Sequence, residues 1–136
     1  MSRVFFVVFL YLFSSLAQAQ PQPEAFMQAR LLDTQGQPTD TLAAKVGQRV
    51  TLALDIYAPS WFTRAPKLQP LVVDGAAALQ AQGFGINFSA RRDGITYTVQ
   101  RRELSIFPQR AGQFIVPSQT AQVWLADGAG QTAEPI

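Results

Sequence analysis

Aromatic and arginine side chains are the groups best suited to binding a partner in this 136-residue sequence. Trp61, Phe62 and Arg64 lie in a segment bracketed by prolines, where a loop or an edge strand would hold them. Tryptophan and arginine are enriched where protein interfaces concentrate their binding energy. Two further arginines, Arg92 and Arg110, are expected to lie outside the core. The predicted partner-binding residues are therefore Trp61, Phe62, Arg64, Arg92 and Arg110.

Two interpretations of the adjacent rings remain open. Trp61 and Phe62 could anchor a partner, or they could cap the open end of the domain and be buried together. We favour burial for these two rings, and the exposure of Trp61 distinguishes the two interpretations. The arginines could pair with acidic groups on a partner, although such residues more often form a solvated surface.

The residues that most enzymes need are missing from the sequence. It contains no histidine and no cysteine, which excludes a Ser-His-Asp triad, a cysteine nucleophile, a His or Cys zinc site and a disulfide. The acidic residues near turns do not form a D-x-[DN]-x-[DN]-G calcium loop, and their spacing does not indicate a glycosidase pair. We therefore expect no enzymatic activity, no catalytic residues, no metal and no cofactor.

A carbohydrate- or peptidoglycan-binding module is the alternative from a different functional class. Tyr57 and Trp61 would stack on sugar rings, which requires a row of exposed aromatic side chains. Nucleic-acid binding is not expected, because the formal charge is only +2. The interleaved Phe88 and Tyr97 could suggest an RNA-binding sheet, but they lie on the face that we assign to the core.

The N-terminus has the pattern of a secretory signal peptide at residues 1–19. Arg3 provides the positive charge, Val4 to Phe13 is an apolar run, and cleavage is expected after Ala19. A membrane anchor is the competing interpretation, but the apolar run is shorter than the roughly 20 residues that span a bilayer. No cysteine follows for lipid attachment. We expect a periplasmic protein whose mature chain has no membrane span.

Alternating apolar positions predict most of the strands. The clearest run is Val46 to Ala58, in which every second residue is apolar from position 50 to position 56. Looser patterns predict a first strand from Glu24 to Asp33 and a short strand from Leu68 to Val73. Only Leu71 to Gln82 could hold a short helix.

The pair Asp93-Gly94 predicts a two-residue type I′ turn that joins two strands within Phe84 to Phe107. The predicted register places Arg92 opposite Ile95, Ala90 opposite Tyr97 and Phe88 opposite Val99. In the second of these strands the apolar residues are at odd positions up to Val99 and at even positions from Leu104. This change predicts a bulge or bend at Gln100 to Glu103.

Composition and pattern together predict an all-β fold. Apolar residues make up 48% of the chain and charged residues 15%, which permits a sizeable core. A further strand is expected from Gln119 to Ala126. Short strands separated by turns predict an antiparallel Ig-like β-sandwich of about seven strands at 20–126. Residues 127–136 would then be a polar C-terminal tail or the start of a linker.

Three segments carry a family resemblance. They are VGQRVTLALDIYA at 46–58 with WFTRAP at 61–66, NFS leading into RDGITY at 87–97, and FPQRAGQFIVP at 107–117. In their order and spacing they resemble the N-terminal exported domain of the BatD-like, or oxygen tolerance, family. The resemblance covers most of 23–126.

The resemblance implies an export route and a class of partner. BatD-like proteins are held at the inner membrane by a C-terminal helix after several β-rich domains, and they are associated with von Willebrand A-type Bat proteins and with aerotolerance. This sequence stops at Ile136, so it looks like an N-terminal fragment, a truncated product or a free-standing relative. The expectation is a protein-interaction module in an envelope complex, and no catalytic residue is transferred from the family.

Overall fold

A computed structural model of the chain describes residues 23–80, 85–126 and 130–135. The predicted signal peptide lies outside these residues. Every regular element in the described ranges is a strand. In chain order the strands are β1 (Phe26–Leu32), β2 (Pro38–Thr39), β3 (Val50–Ala58), β4 (Phe62–Leu68), β5 (Ala76–Gln80), β6 (Ile86–Arg92), β7 (Ile95–Pro108), β8 (Ala121–Leu125) and β9 (Gln131–Pro135).

The strands form one mixed, curled sheet. Its main path runs β4-β8-β9-β1-β3-β7-β5, with β2 paired to β1 and β6 paired to β7. All pairings are antiparallel except β1 with β9, which is parallel. The all-β prediction is confirmed. None of the described ranges contains a helix long and apolar enough to cross a bilayer.

The main core lies inside the curl of the sheet. It joins residues of β1, β3 and β7 to residues of β8 and β9, and strands from both ends of the path therefore bury their apolar sides against one another. Met27, Leu54, Ile56 and Val123 are fully buried there. The full set of buried residues in this cluster is Ala25, Met27, Leu52, Leu54, Ile56, Ala58, Val73, Leu104, Ile106, Ala121, Val123, Leu125 and Ala133.

Strand β3 is buried on both of its faces. The predicted inward residues Leu52, Leu54 and Ile56 lie in the main core. The residues between them, which the alternation assigns to the polar side, are buried as well, and they include Asp55 and Tyr57. A strand in the middle of a sheet has neighbours on both edges, and here side chains also cover its second face.

An aromatic cluster occupies that second face. It consists of buried Tyr57, Tyr97 and Val99, with Phe26, Ala90 and Ile95 packed against them. The rings of Phe26 and Tyr57 are stacked with their centroids 4.5 Å apart. This cluster gives the sheet a second apolar region, separate from the main core.

No bulge lies at Gln100 to Glu103, so that form of the bulge-or-bend prediction is wrong. Strand β7 pairs with β3 from Thr98 to Ile106 without a change of register. The apolar positions change from odd to even because β7 uses both faces. Tyr97 and Val99 face the aromatic cluster, whereas Leu104 and Ile106 face the main core.

The region between β3 and β6 differs from its prediction in two places. Residues 69–73 are not a strand, so the strand expected from Leu68 to Val73 is wrong. The described part of the possible helix, up to Gln80, instead contains β5, which pairs with the last part of β7. The proline-bracketed segment is edge strand β4, one of the two forms expected for it.

The β6–β7 hairpin has the predicted turn and register. Arg92 pairs with Ile95, Ala90 with Tyr97 and Phe88 with Val99. The turn residues have positive φ angles, 50° at Asp93 and 77° at Gly94. This is the backbone that a type I′ turn requires.

Replacing Gly94 by alanine is expected to lower the free energy of unfolding by about 1 kcal/mol, because a Cβ is disfavoured at positive φ. No atom lies close enough to obstruct the new methyl group, so backbone strain alone is tested. Urea denaturation followed by tryptophan fluorescence measures the change. Asp93→Asn serves as the control, since asparagine tolerates this conformation and should leave stability almost unchanged. An alanine variant as stable as the parent would contradict the strain argument.

Candidate functional site

An exposed aromatic and cationic surface lies at the start of edge strand β4. We name it the β4 surface and define it as Trp61, Arg64 and Trp124. The side chain of Trp61 is 68% exposed. The guanidinium carbon of Arg64 lies 4.8 Å from the ring centroid of Trp124, which is a cation–π contact. The surface thus combines one free ring with a second ring already paired to a cation.

Two hydrogen bonds to backbone carbonyl oxygens hold the β4 surface in place. The amide of Ala126 donates a hydrogen bond to the carbonyl oxygen of Trp61 at 3.1 Å. The hydroxyl of Thr63 donates to the carbonyl oxygen of Trp124, also at 3.1 Å. Both bonds join the segment just before Arg64 to the end of β8. A fixed backbone lowers the entropy that the exposed ring would lose on binding.

The two adjacent rings behave differently. Phe62 is partly buried and packs against the main core, as the favoured interpretation expected. For Trp61 that interpretation is wrong, because the ring is exposed. Successive residues of a strand point to opposite faces, so Phe62 faces inward and its neighbour does not.

Strand β4 is irregular and poorly suited to pairing with a further strand. Its register with β8 shifts twice between Phe62 and Lys67. It also contains Pro66, which has no backbone N–H, and the exposed cation of Lys67. Proline, bulges and lysine are the features that prevent edge-to-edge association. Any contact made here would therefore be made by side chains.

Arg92 lies against the aromatic cluster. Its guanidinium donates hydrogen bonds to Gln28 Oε1 at 2.6 Å and to the Tyr57 hydroxyl at 3.1 Å. The same group lies 4.7 Å from the centroid of the Tyr57 ring. The side chain is half-buried. These contacts of Arg92 Nη2 lie within the domain and are structural.

Arg110 lies in the turn after β7. Its guanidinium is 3.5 Å from a carboxylate oxygen of Asp74 and 5.1 Å from the centroid of the Phe114 ring. Both members of the ion pair are solvent-exposed. Water and salt screen such a pair strongly.

The exposed Asp74–Arg110 pair is expected to contribute little to stability, and one substitution tests this. Asp74→Asn is expected to leave the melting temperature unchanged within experimental error, because the lost charge is fully solvated in the folded chain. Thermal denaturation at low and moderate salt measures the effect. Asp40→Asn, at another exposed residue, is a control for the same change in net charge. A clear loss of stability in Asp74→Asn alone would show that this ion pair matters to the fold.

The strongest ion pair was not among the predicted site residues. Arg101 Nε and Nη2 donate to the two carboxylate oxygens of Asp55 at 2.7 and 2.9 Å. Asp55 is 2% exposed. The hydrogen bond to Asp55 raises the pKa of Arg101 although burial opposes the rise, so this guanidinium stays charged at every ordinary pH. The register pairs the two residues directly, and only the β3–β7 pairing could have identified them from sequence.

A carbohydrate-binding site and a metal site can both be compared with the described geometry. Tyr57 is 4% exposed and lies under Arg92, so it does not form the exposed aromatic row with Trp61 that the carbohydrate hypothesis needs. In the part of the chain that the structure describes, no three acidic side chains come together as metal ligands would.

No protein-family model matches this chain, and neither a curated protein nor a solved structure matches it. The BatD-like resemblance therefore stays a prediction from the sequence motifs. The site that the geometry supports best is the β4 surface, on an all-β domain with a single curled sheet.

Proposed function

We propose that this chain is a non-enzymatic protein-interaction domain of the BatD-like type, and that it binds a protein of the bacterial envelope through the β4 surface. The observation that carries the proposal is the exposure of Trp61, 68%, three residues before Arg64, which lies against Trp124. A large apolar ring held in water costs free energy that a binding partner would recover.

The proposal includes an Ig-like β-sandwich as the finer description of the fold. Its support is the main core, which joins β1, β3 and β7 to β8 and β9 across the curl of the sheet. Two packed layers of mainly antiparallel strands are typical of sandwiches. The parallel β1–β9 pair would then be the place where one layer passes into the other.

The chemistry of the β4 surface favours a protein as the ligand. Tryptophan and arginine are the residue types that most often dominate protein interfaces. Arg64 offers a planar cation for a carboxylate of the partner while it remains against the Trp124 ring. A partner with an apolar pocket flanked by acidic side chains would be complementary to this surface.

Location and partner follow from the sequence motifs. The predicted signal peptide directs the chain to the periplasm, and the BatD-like resemblance suggests von Willebrand A-type Bat proteins as partners. The complex would then be linked to oxygen or stress tolerance. Neither nucleic acid nor a membrane span of the mature chain enters the proposal.

A pull-down from detergent-solubilised envelopes tests the proposal. The tagged protein should retain a von Willebrand A-type membrane protein, and the Trp61→Ala, Arg64→Ala double variant should not. Lys67→Ala with Val72→Ala is the matched control, because both residues are exposed and lie outside the β4 surface. Circular dichroism establishes that all variants are folded.

Two results would contradict the proposal. Retention of cell-wall sugar without any protein would favour the carbohydrate-binding alternative. Equal capture by the double variant and the parent would show that the β4 surface is not the binding site.

A further inference from the structure

Two residues that face the main core on strand β7 are polar. Arg102 pairs with Leu54 of β3 and Gln100 pairs with Ile56, and both β3 residues are fully buried in the core. Facing residues in a ladder share one side of the sheet, so Arg102 and Gln100 lie on the core side. Both side chains are partly buried. Polar groups in such a position are normally satisfied by hydrogen bonds.

Three hydrogen bonds link these two side chains to strands β6 and β4. Gln100 Nε2 donates to Asn87 Oδ1 of β6 at 3.1 Å, and Gln100 Oε1 accepts from Arg102 Nε at 2.9 Å. Arg102 Nη2 donates to the carbonyl oxygen of Pro66 in β4 at 3.3 Å. Strand β4 begins the main path of the sheet and β7 lies near its other end. The bond to Pro66 therefore crosses the curl of the sheet.

The bond to Pro66 lies at the irregular part of β4. The register of β4 against β8 shifts between Phe62 and Arg64, and it shifts again between Arg64 and Lys67. Pro66 lies within the second shift, and it is buried. Arg102 therefore holds the backbone of β4 at a point where the ladder with β8 is interrupted.

The two register shifts account for the outward direction of Arg64. In a regular strand, residues two positions apart share a face, so Phe62, Arg64 and Pro66 would all face the same side. Phe62 packs against the main core and Pro66 is buried, yet Arg64 is exposed and lies against Trp124. The direction of Arg64 therefore depends on the irregular backbone between positions 62 and 67.

We propose that Arg102 is a positioning residue for the β4 surface. Its hydrogen bond to the Pro66 carbonyl oxygen fixes the second register shift and so keeps Arg64 against the Trp124 ring. A guanidinium suits this task, because it donates to Gln100 and to Pro66 from one rigid plane. The inference rests on the proposed function, in which Arg64 binds a carboxylate of the partner. A side chain already held in place loses less entropy when the partner binds.

NMR spectroscopy of the free protein tests the positioning itself. The Trp124 ring should shift the δ-methylene signals of Arg64 upfield, because the guanidinium carbon lies 4.8 Å from the ring centroid. Arg102→Ala should lose most of this shift, whereas Arg102→Lys keeps a donor and should retain most of it. Ile106→Val, a buried change elsewhere on β7, is the control for a general loss of stability and should keep the full shift. Unaltered Arg64 signals in Arg102→Ala would overturn the proposal.

A double-mutant cycle with the captured partner tests the consequence for binding. Arg102→Ala should weaken binding about fivefold in the parent protein, and it should cause no further loss in Arg64→Ala, because Arg102 acts through Arg64. The same loss in both backgrounds would show that Arg102 does not act through Arg64 and would overturn the proposal. If the pull-down retains no partner, the proposed function fails, and the NMR signals of Arg64 still decide whether Arg102 positions it.

Discussion

Replacing Arg101 by alanine is expected to lower the free energy of unfolding by about 3 kcal/mol, because the variant leaves a carboxylate buried without a counter-ion. Asp55 is 2% exposed and receives both of its hydrogen bonds in the bidentate pair from Arg101. The arginine side chain is itself 33% exposed, so water entering the vacated space limits the loss. Urea denaturation measures the change from the shift in midpoint at constant m-value.

A double variant separates the charge effect from a loss of packing. Asp55→Ala combined with Arg101→Ala removes both charges, and its stability should exceed that of Arg101→Ala alone. Arg91→Ala, on the exposed side of the hairpin, is the control and should change the free energy of unfolding by less than about 0.5 kcal/mol. If Arg101→Ala is as stable as this control, the buried ion pair does not stabilise the fold.

Replacing Trp61 by alanine is expected to weaken binding of the captured partner by about 2 kcal/mol or more, which is about 30-fold. The ring is 68% exposed in the free protein, so its truncation removes contact area at little cost to the fold. Surface plasmon resonance with the immobilised partner measures the change, and most of it should lie in the dissociation rate. Trp61→Phe should retain part of the affinity, because a smaller ring still enters the same pocket.

Arg64 should contribute less than Trp61. Its cation already lies against Trp124, so Arg64→Ala loses a charge at the interface and also releases that ring. Lys67→Ala provides the comparison on the same strand, since it removes the same charge away from the two rings. Equal losses in Arg64→Ala and Lys67→Ala would mean that net charge alone attracts the partner, without a specific role for Arg64.

Local patterns were enough to predict some elements of this fold. The Asp93-Gly94 turn fixes the hairpin register through backbone conformation alone, and the pairs found are those expected. The alternation in β3 correctly identified Leu52, Leu54 and Ile56 as core residues. In both cases the information lies within a few neighbouring residues.

Other features depend on pairing between distant parts of the chain. The alternation assigned Asp55 to a polar side because nothing near it in sequence shows that Arg101 lies directly opposite. The odd-to-even change along β7 predicts a bulge or a bend, but a regular strand that passes from the aromatic cluster to the main core produces the same pattern. The exposure of Trp61 also depends on how β4 meets β8, through a pairing with two shifts of register.

Photo-crosslinking at position 61 would show whether the β4 surface contacts an envelope protein in the cell. A photoreactive phenylalanine analogue in place of Trp61 would be irradiated in intact cells, and the same analogue in place of Val72, which is 75% exposed, would be the control. We expect a crosslink to one envelope protein from position 61 and none from position 72. No crosslink from position 61, or the same crosslinks from both positions, would contradict the assignment of the β4 surface as the binding site.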